Sequence, residues 1–155
     1  MSDILLAFGA SGSDMRMAEG DLLCDDSLLT AVIISLFTDR LAAPDDRLPA
    51  EADDRRGWWA DATLQGGKDN IGSRLWLLGR ESTTPDVPER ARAYAAEALQ
   101  WLVDEGRATG VQVDARRLHA ADSSANLLLT VAIDAPQGGT YAFVYNPVTS
   151  TYTFA

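Results

Sequence analysis

Enzymes of this size work with a nucleophile and its base, a pair of carboxylates flanking a substrate, or a set of metal ligands. The chain has one histidine and one cysteine. A Cys24–His119 pair is far apart in sequence and would need a third group to orient the base, and nothing in the sequence orients it. Cys24, in Leu22-Leu23-Cys24, reads as a small buried apolar residue. His119, in Arg116-Arg117-Leu118-His119, reads as a solvated residue at a strand end. A single cysteine forms no intrachain disulfide and no thiolate-rich metal site. Gln65-Gly66-Gly67-Lys68-Asp69 lacks the glycine spacing of a phosphate loop and the hydroxyl residue after its lysine. Asp21, Asp25 and Asp26 lack the glycine and terminal glutamate of a calcium loop. No cofactor or metal site is therefore expected.

Carboxylates are abundant, and a cell-wall glycosidase would need two of them beside a sugar, with Trp58 and Trp59 available to stack on it. Most of the acids fall in the charged 45–54 stretch or at helix ends. Solvated acids keep ordinary pKa values, whereas a general acid at neutral pH needs one raised by burial. The glycosidase is therefore the alternative reading, and the main one is a protein without catalysis.

Three of the four tryptophans lie between residues 58 and 76, in a segment rich in polar residues. Trp58 and Trp59 serve either as core or as interface anchors, since adjacent residues seldom both point inward and Trp and Arg are frequent at binding hot spots. Trp76 reads as core. Arg74, in Gly72-Ser73-Arg74-Leu75-Trp76, carries a rigid donor fork suited to a carboxylate or to several carbonyls. Its position between two apolar islands points to an internal clamp on an acid such as Asp61 or Glu105. The other role open to it is a contact with a partner.

The elements that must position these residues follow from periodicity. Ile4 to Phe8 suits a strand, Gly9 to Asp14 breaks it, and Met15-Arg16-Met17 suits a second. Leu28, Leu29, Val32, Ile33, Leu36, Phe37 and Leu41 recur at helical spacing, with Ile34 widening the stripe, Asp26 as N-cap and Pro44 as the stop. Residues 44–57, with two prolines and dense charge, read as an exposed, mobile loop that orders on assembly. Leu75-Trp76-Leu77-Leu78 fits a short strand or a helical turn. Asp86 with Glu89 forms a capping-box pattern ahead of a second helix, whose face is Ala91, Tyr94, Ala95, Ala98, Trp101 and Leu102, with Gly106 as C-cap. Val111, Val113 and Ala115 alternate with polar residues, as do Leu127, Leu129, Val131 and Ile133. Residues 140–145 and 149–154 add further strands. Helices followed by a run of strands predict a small single α+β domain over 1–155, two main helices packed on a mostly antiparallel sheet.

At 155 residues the chain suffices for one well-cored domain. Its 13 Lys and Arg against 23 Asp and Glu give a net charge of −10, which repels nucleic-acid backbones and anionic membranes and favours a basic partner or simple solubility. The N-terminus has no basic n-region, and no apolar run approaches the length of a membrane span.

Several of these segments together resemble the Mu-like phage baseplate proteins, relatives of the sheath-initiator wedge proteins of contractile tails. The pieces are Asp21-Leu22 with Asp25-Asp26, then Ala31 to Arg40, Arg56-Gly57-Trp58-Trp59, Gly72 to Leu78, and Ala98-Leu99-Gln100-Trp101-Leu102. Broader relatives carry Glu-Pro-Arg after the second helix; the nearest match here is Glu105-Gly106-Arg107, without the proline. The resemblance implies a structural protein in about six copies per particle. It would bind baseplate wedge proteins and tail sheath subunits, with the tail tube or spike hub as further neighbours. It would be assembled in the host cytoplasm and carried in the baseplate of a virion or tailocin. Arg56, Trp58, Trp59, Gly72, Ser73, Arg74, Trp76, Glu105 and Arg107 are then the structural or partner-binding candidates.

Overall fold

The computed structural model describes residues 3–4, 6–9, 12–15, 17–19, 21–22, 24–25, 28–49, 54–57, 71–79, 84–118 and 126–155. The N-terminal part is a set of short antiparallel ladders. Strands β1 (Asp3–Ile4) and β6 (Cys24–Asp25) pair at its base. Between them β2 (Leu6–Gly9) pairs with β3 (Gly12–Met15), and β4 (Met17–Ala18) with β5 (Asp21–Leu22). The strand expected near Met15–Met17 is thus divided between β3 and β4, and β3 begins inside the stretch read as a break.

Helix α1 (Leu29–Phe37) buries Val32, Ile33 and Leu36. It ends well short of Pro44, because the chain beyond it is captured elsewhere: Thr38 turns extended, and Asp39 forms a parallel bridge with Ser73. Ile34, expected to widen the buried stripe, is 47 % exposed, and Leu41, freed from the helix, is exposed as well. The N-cap residue of α1 is Leu28 and not Asp26, and no side chain caps the helix, because it starts later than the acidic pair suggested; Asp26 itself lies outside the described residues. The apolar run at 75–78 is a 3-10 helix, Leu75–Gly79, with its first four residues buried.

Helix α2 (Val87–Leu99) has Pro88 in its first turn, where the missing N–H costs nothing. Asp86 is its N-cap residue, but the reciprocal capping box is not made: Glu89 pairs with Arg92 and Asp86 faces Arg90. A hydrogen bond from Thr84 first, then its own backbone N–H and the Arg90 charge, hold the Asp86 carboxyl below the usual aspartate range. Ala91, Ala95 and Ala98 are buried on one face. Their small side chains let the helix axis lie close to the sheet. After Gln100 the chain makes one more turn, α3 (Trp101–Asp104), closed by a Schellman arrangement. Arg107 N donates to Leu102 O at 2.8 Å and Gly106 N to Val103 O at 2.9 Å, with Gly106 at φ +69°.

Four strands complete the fold: β7 (Gly110–Arg117), β8 (Leu127–Asp134), β9 (Thr140–Asn146) and β10 (Thr151–Phe154). They form an antiparallel meander in the order β10-β9-β8-β7. The register sets Val113 opposite Val131, Ala115 opposite Leu129, and Leu129 opposite Phe143, so the apolar members of each alternating strand share one face. Those residues, the buried faces of α1 and α2, Leu75, Leu78 and Leu102 make one core. The opposite face carries the exposed Gln112, Asp114 and Arg116. Two helices on a four-stranded antiparallel sheet is the expected α+β arrangement.

Candidate interaction site around the Gly-Ser-Arg-Leu-Trp segment

The segment from Gly72 to Trp76 fastens three parts of the chain together. Ser73 N donates to Thr38 O at 2.9 Å, and Arg40 N donates to Ser73 O at 3.0 Å. Ser73 is buried; its hydroxyl donates to Leu36 O, a carbonyl left over at the end of α1, and accepts from Leu75 N at 3.2 Å to start the 3-10 helix. This close passage needs glycine before it. Gly72 is at φ +99°, and a Cβ there would stand 2.3 Å from Thr38 O. Trp76 is buried in a satellite core with Ala42 and Leu77, against Leu48 and Tyr94, and its indole N–H donates to Arg40 O at 2.9 Å.

Arg74 occupies the centre. Its Nη1 donates to both carboxylate oxygens of Asp46 at 3.0 Å, and its Nη2 to Glu97 Oε2 at 2.7 Å. The guanidinium lies 4.8 Å from the centroid of the Tyr94 ring. Burial opposes its charge, but the hydrogen bonds to Glu97 and Asp46, with their charges, outweigh that and raise its pKa above the ordinary arginine range. Arg74 therefore ties Asp46, near the start of the charged stretch, to α2; residues 50–53 of that stretch lie outside the described residues. Its partners are Asp46 and Glu97; Glu105 pairs with Arg107 at 3.8 Å on the exposed turn after α3, and Asp61 lies outside the described residues. Arg40 adds a second contact to Glu97 at 3.3 Å.

Arg56 forms the other wing. It is at φ +52°, its Nη1 is 2.6 Å from Asp39 Oδ2, and its guanidinium sits 4.6 Å from the centroid of the Trp76 ring. The ends of the 44–57 stretch are also held: Ala42 N donates to Arg55 O at 3.0 Å, and the Arg55 side chain donates to Ala43 O and Pro44 O. Tyr145 of β9 is buried. Burial first, with the Asp39 charge adding to it, pushes its phenol up to about 12, against a hydrogen bond with Ser150 and the nearby Arg56.

The structure thus gathers Arg56, Gly72, Ser73, Arg74 and Trp76, and leaves Glu105 and Arg107 outside the cluster. Trp58, Trp59 and His119 lie outside the described residues. Asp39, Arg40, Asp46, Tyr94 and Glu97 complete the cluster without having been named as site candidates. Of these, Asp39 and Arg40 carried a signal, as the end of the Ala31–Arg40 motif. Chemically the arrangement is a set of satisfied charge pairs around a packed tryptophan. Apart from the Tyr145 phenol and the Trp76 indole, the buried polar side chains among the described residues are Ser35 and Ser73, and none of the four is a carboxylate.

The comparisons fit a structural role for these motifs. Residues 28–140 match the profile of a family described as Phage protein GP46. The chain is 45 % identical over 145 residues to the baseplate protein gp46 of Escherichia phage Mu, covering 94 % of this chain and 95 % of that protein. It is 39 % identical over 140 residues to the Mu-like prophage FluMu protein gp46 of Haemophilus influenzae, covering 90 % and 92 %. The chain belongs to the GP46 family, the Mu-like phage baseplate proteins that its motifs resemble.

Proposed function

We propose that this protein is a non-catalytic structural component of a contractile phage or tailocin baseplate, which binds wedge proteins and templates the first ring of sheath subunits. The observation that carries the reading is the four-stranded meander, whose outer strands β7 and β10 each have one strand neighbour among the described residues. A strand edge held on a rigid core accepts a strand from a neighbouring subunit, and main-chain hydrogen bonds then set the geometry of what docks next. The description of the phage Mu relative as a baseplate protein supports the location. The charge cluster around Arg74 supports the rigidity, because it ties Asp46 to Glu97 of α2. About six copies around the tube would present the edge as a ring, and repeated contacts make weak single interfaces sufficient. Assembly takes place in the host cytoplasm, and the protein stays in the finished tail.

The test is a phage lacking this gene, viewed by electron microscopy. Tubes with incomplete baseplates and no sheath are expected. Normally sheathed tails would overturn the reading. Purified protein should also leave peptidoglycan intact; turnover abolished by one Asp or Glu substitution would restore the glycosidase.

A further inference from the structure

The N-terminal ladders are built differently from the rest of the chain. Every described strand from Asp3 to Asp25 pairs within that segment, and none joins the four-stranded sheet. The profile match begins only at residue 28, after the segment ends. At the root, Thr30 Oγ1 in the first turn of α1 donates to Ile4 O at 3.2 Å, which anchors the base of the arm. Two-stranded ribbons are marginal on their own in water and gain stability from a third strand or a covering surface. Met15 and Met17, at the junction of β3 and β4, are 53 % and 66 % exposed, and methionine is well suited to packing against an irregular partner.

Charge decides what that partner is. Asp3, Asp14, Glu19, Asp21 and Asp25 against Arg16 leave four negative charges in residues 3–25, in a chain of net charge −10. A second copy of this chain would be repelled, as would nucleic acid. We infer that the 3–25 arm is a docking element for a Lys- or Arg-rich segment of a different protein, which covers Met15 and Met17 and lies along the ladders. The strands of this arm pair with none of the strands of the four-stranded sheet. Opposite charge along it would steer the encounter and set the register, while the methionines supply apolar contact.

The experiment places a photo-crosslinking amino acid at Met17 in the full chain, in host cells producing complete particles, and maps the product by mass spectrometry. A crosslink to a basic segment of another protein is expected. A crosslink to a second copy, to an acidic or uncharged segment, or only within the chain overturns the inference. Neutralising the arm with Asp14→Asn and Glu19→Asn should lower the crosslink yield about tenfold at physiological salt. Asparagine accepts the φ of +54° at Glu19, so the turn is kept. An unchanged yield with an unchanged melting temperature would also overturn it. Sheath assembly is read separately in the same particles, so a failure here is distinct from failure of the baseplate role.

Discussion

The ring of Phe37 lies flat on that of Tyr152, with centroids 3.8 Å apart and planes 6° from parallel. Phe37 is the last residue of α1 and Tyr152 sits in β10, so the stack joins the first helix to the last strand. Phe143 meets both rings edge-on, at 5.2 and 6.3 Å. The Phe37→Ala protein should be about 2–3 kcal/mol less stable, at or below the lower end of the range for truncating a buried aromatic, because the ring is half-buried. Phe37→Leu should recover part of this in a thermal melt, and an unchanged melting temperature for Phe37→Ala would refute the role.

Alkaline pH should weaken the fold through Tyr145. Its phenol is pushed up to about 12, so the unfolded chain gives up that proton first, near the usual tyrosine range of about 10. The contribution is complete below pH about 10 and is lost as pH rises to about 12, amounting to about 2–3 kcal/mol. Burial also raises Tyr152, in the same sense. Urea titrations from neutral pH upward should show this decline, and Tyr145→Phe should flatten it.

Removing the Arg74 side chain leaves Asp46 and Glu97 facing each other without their shared cation. Asp46 is only 12 % exposed at its side chain, while Glu97 at 39 % keeps some solvent, so Arg74→Ala should cost about 2–4 kcal/mol, below the full value for a buried pair. For a chain of this size that is a fall of roughly 5–15 °C in melting temperature. Arg74→Lys should recover little, because one ammonium cannot reproduce a fork held by two acids. A mutant that melts like the wild type would remove Arg74 from the internal framework.

Gly72→Ala should be among the most damaging single-atom changes. The backbone angle excludes most side chains, and Thr38 O has no room to retreat because it accepts from Ser73 N. A loss of about 3 kcal/mol or more is expected, seen as a lower urea midpoint with an unchanged slope.

Alternation made β7, β8 and β9 legible from sequence, because an apolar residue at every second position leaves only one face to bury. The same logic failed for Leu75–Leu78, where four consecutive apolar residues fit either a strand or a turn. Helix α1 ends at Phe37 because Ser73, far along the chain, takes the backbone of Thr38 and Arg40, a tertiary event that local periodicity does not contain. Arg74 was visible as a cation between apolar islands, but its partners were not. Asp46 sits in a charged loop and looks solvated, and Glu97 belongs to the polar side of α2, where a carboxylate is ordinary.

The pairing of Phe37 with Tyr152 also governs the order of events during synthesis. About 115 residues separate the two rings. At roughly 5–20 residues per second, α1 leaves the ribosome about 6–23 s before the strand that covers its end has been made. The meander, by contrast, closes hairpin by hairpin as it emerges, with α2 already next to β7 in sequence. Helix α1, apolar on most of its surface, must therefore stay soluble in the interval. A holdase chaperone is the natural custodian of that nascent segment, and host strains lacking one should yield more aggregated chain.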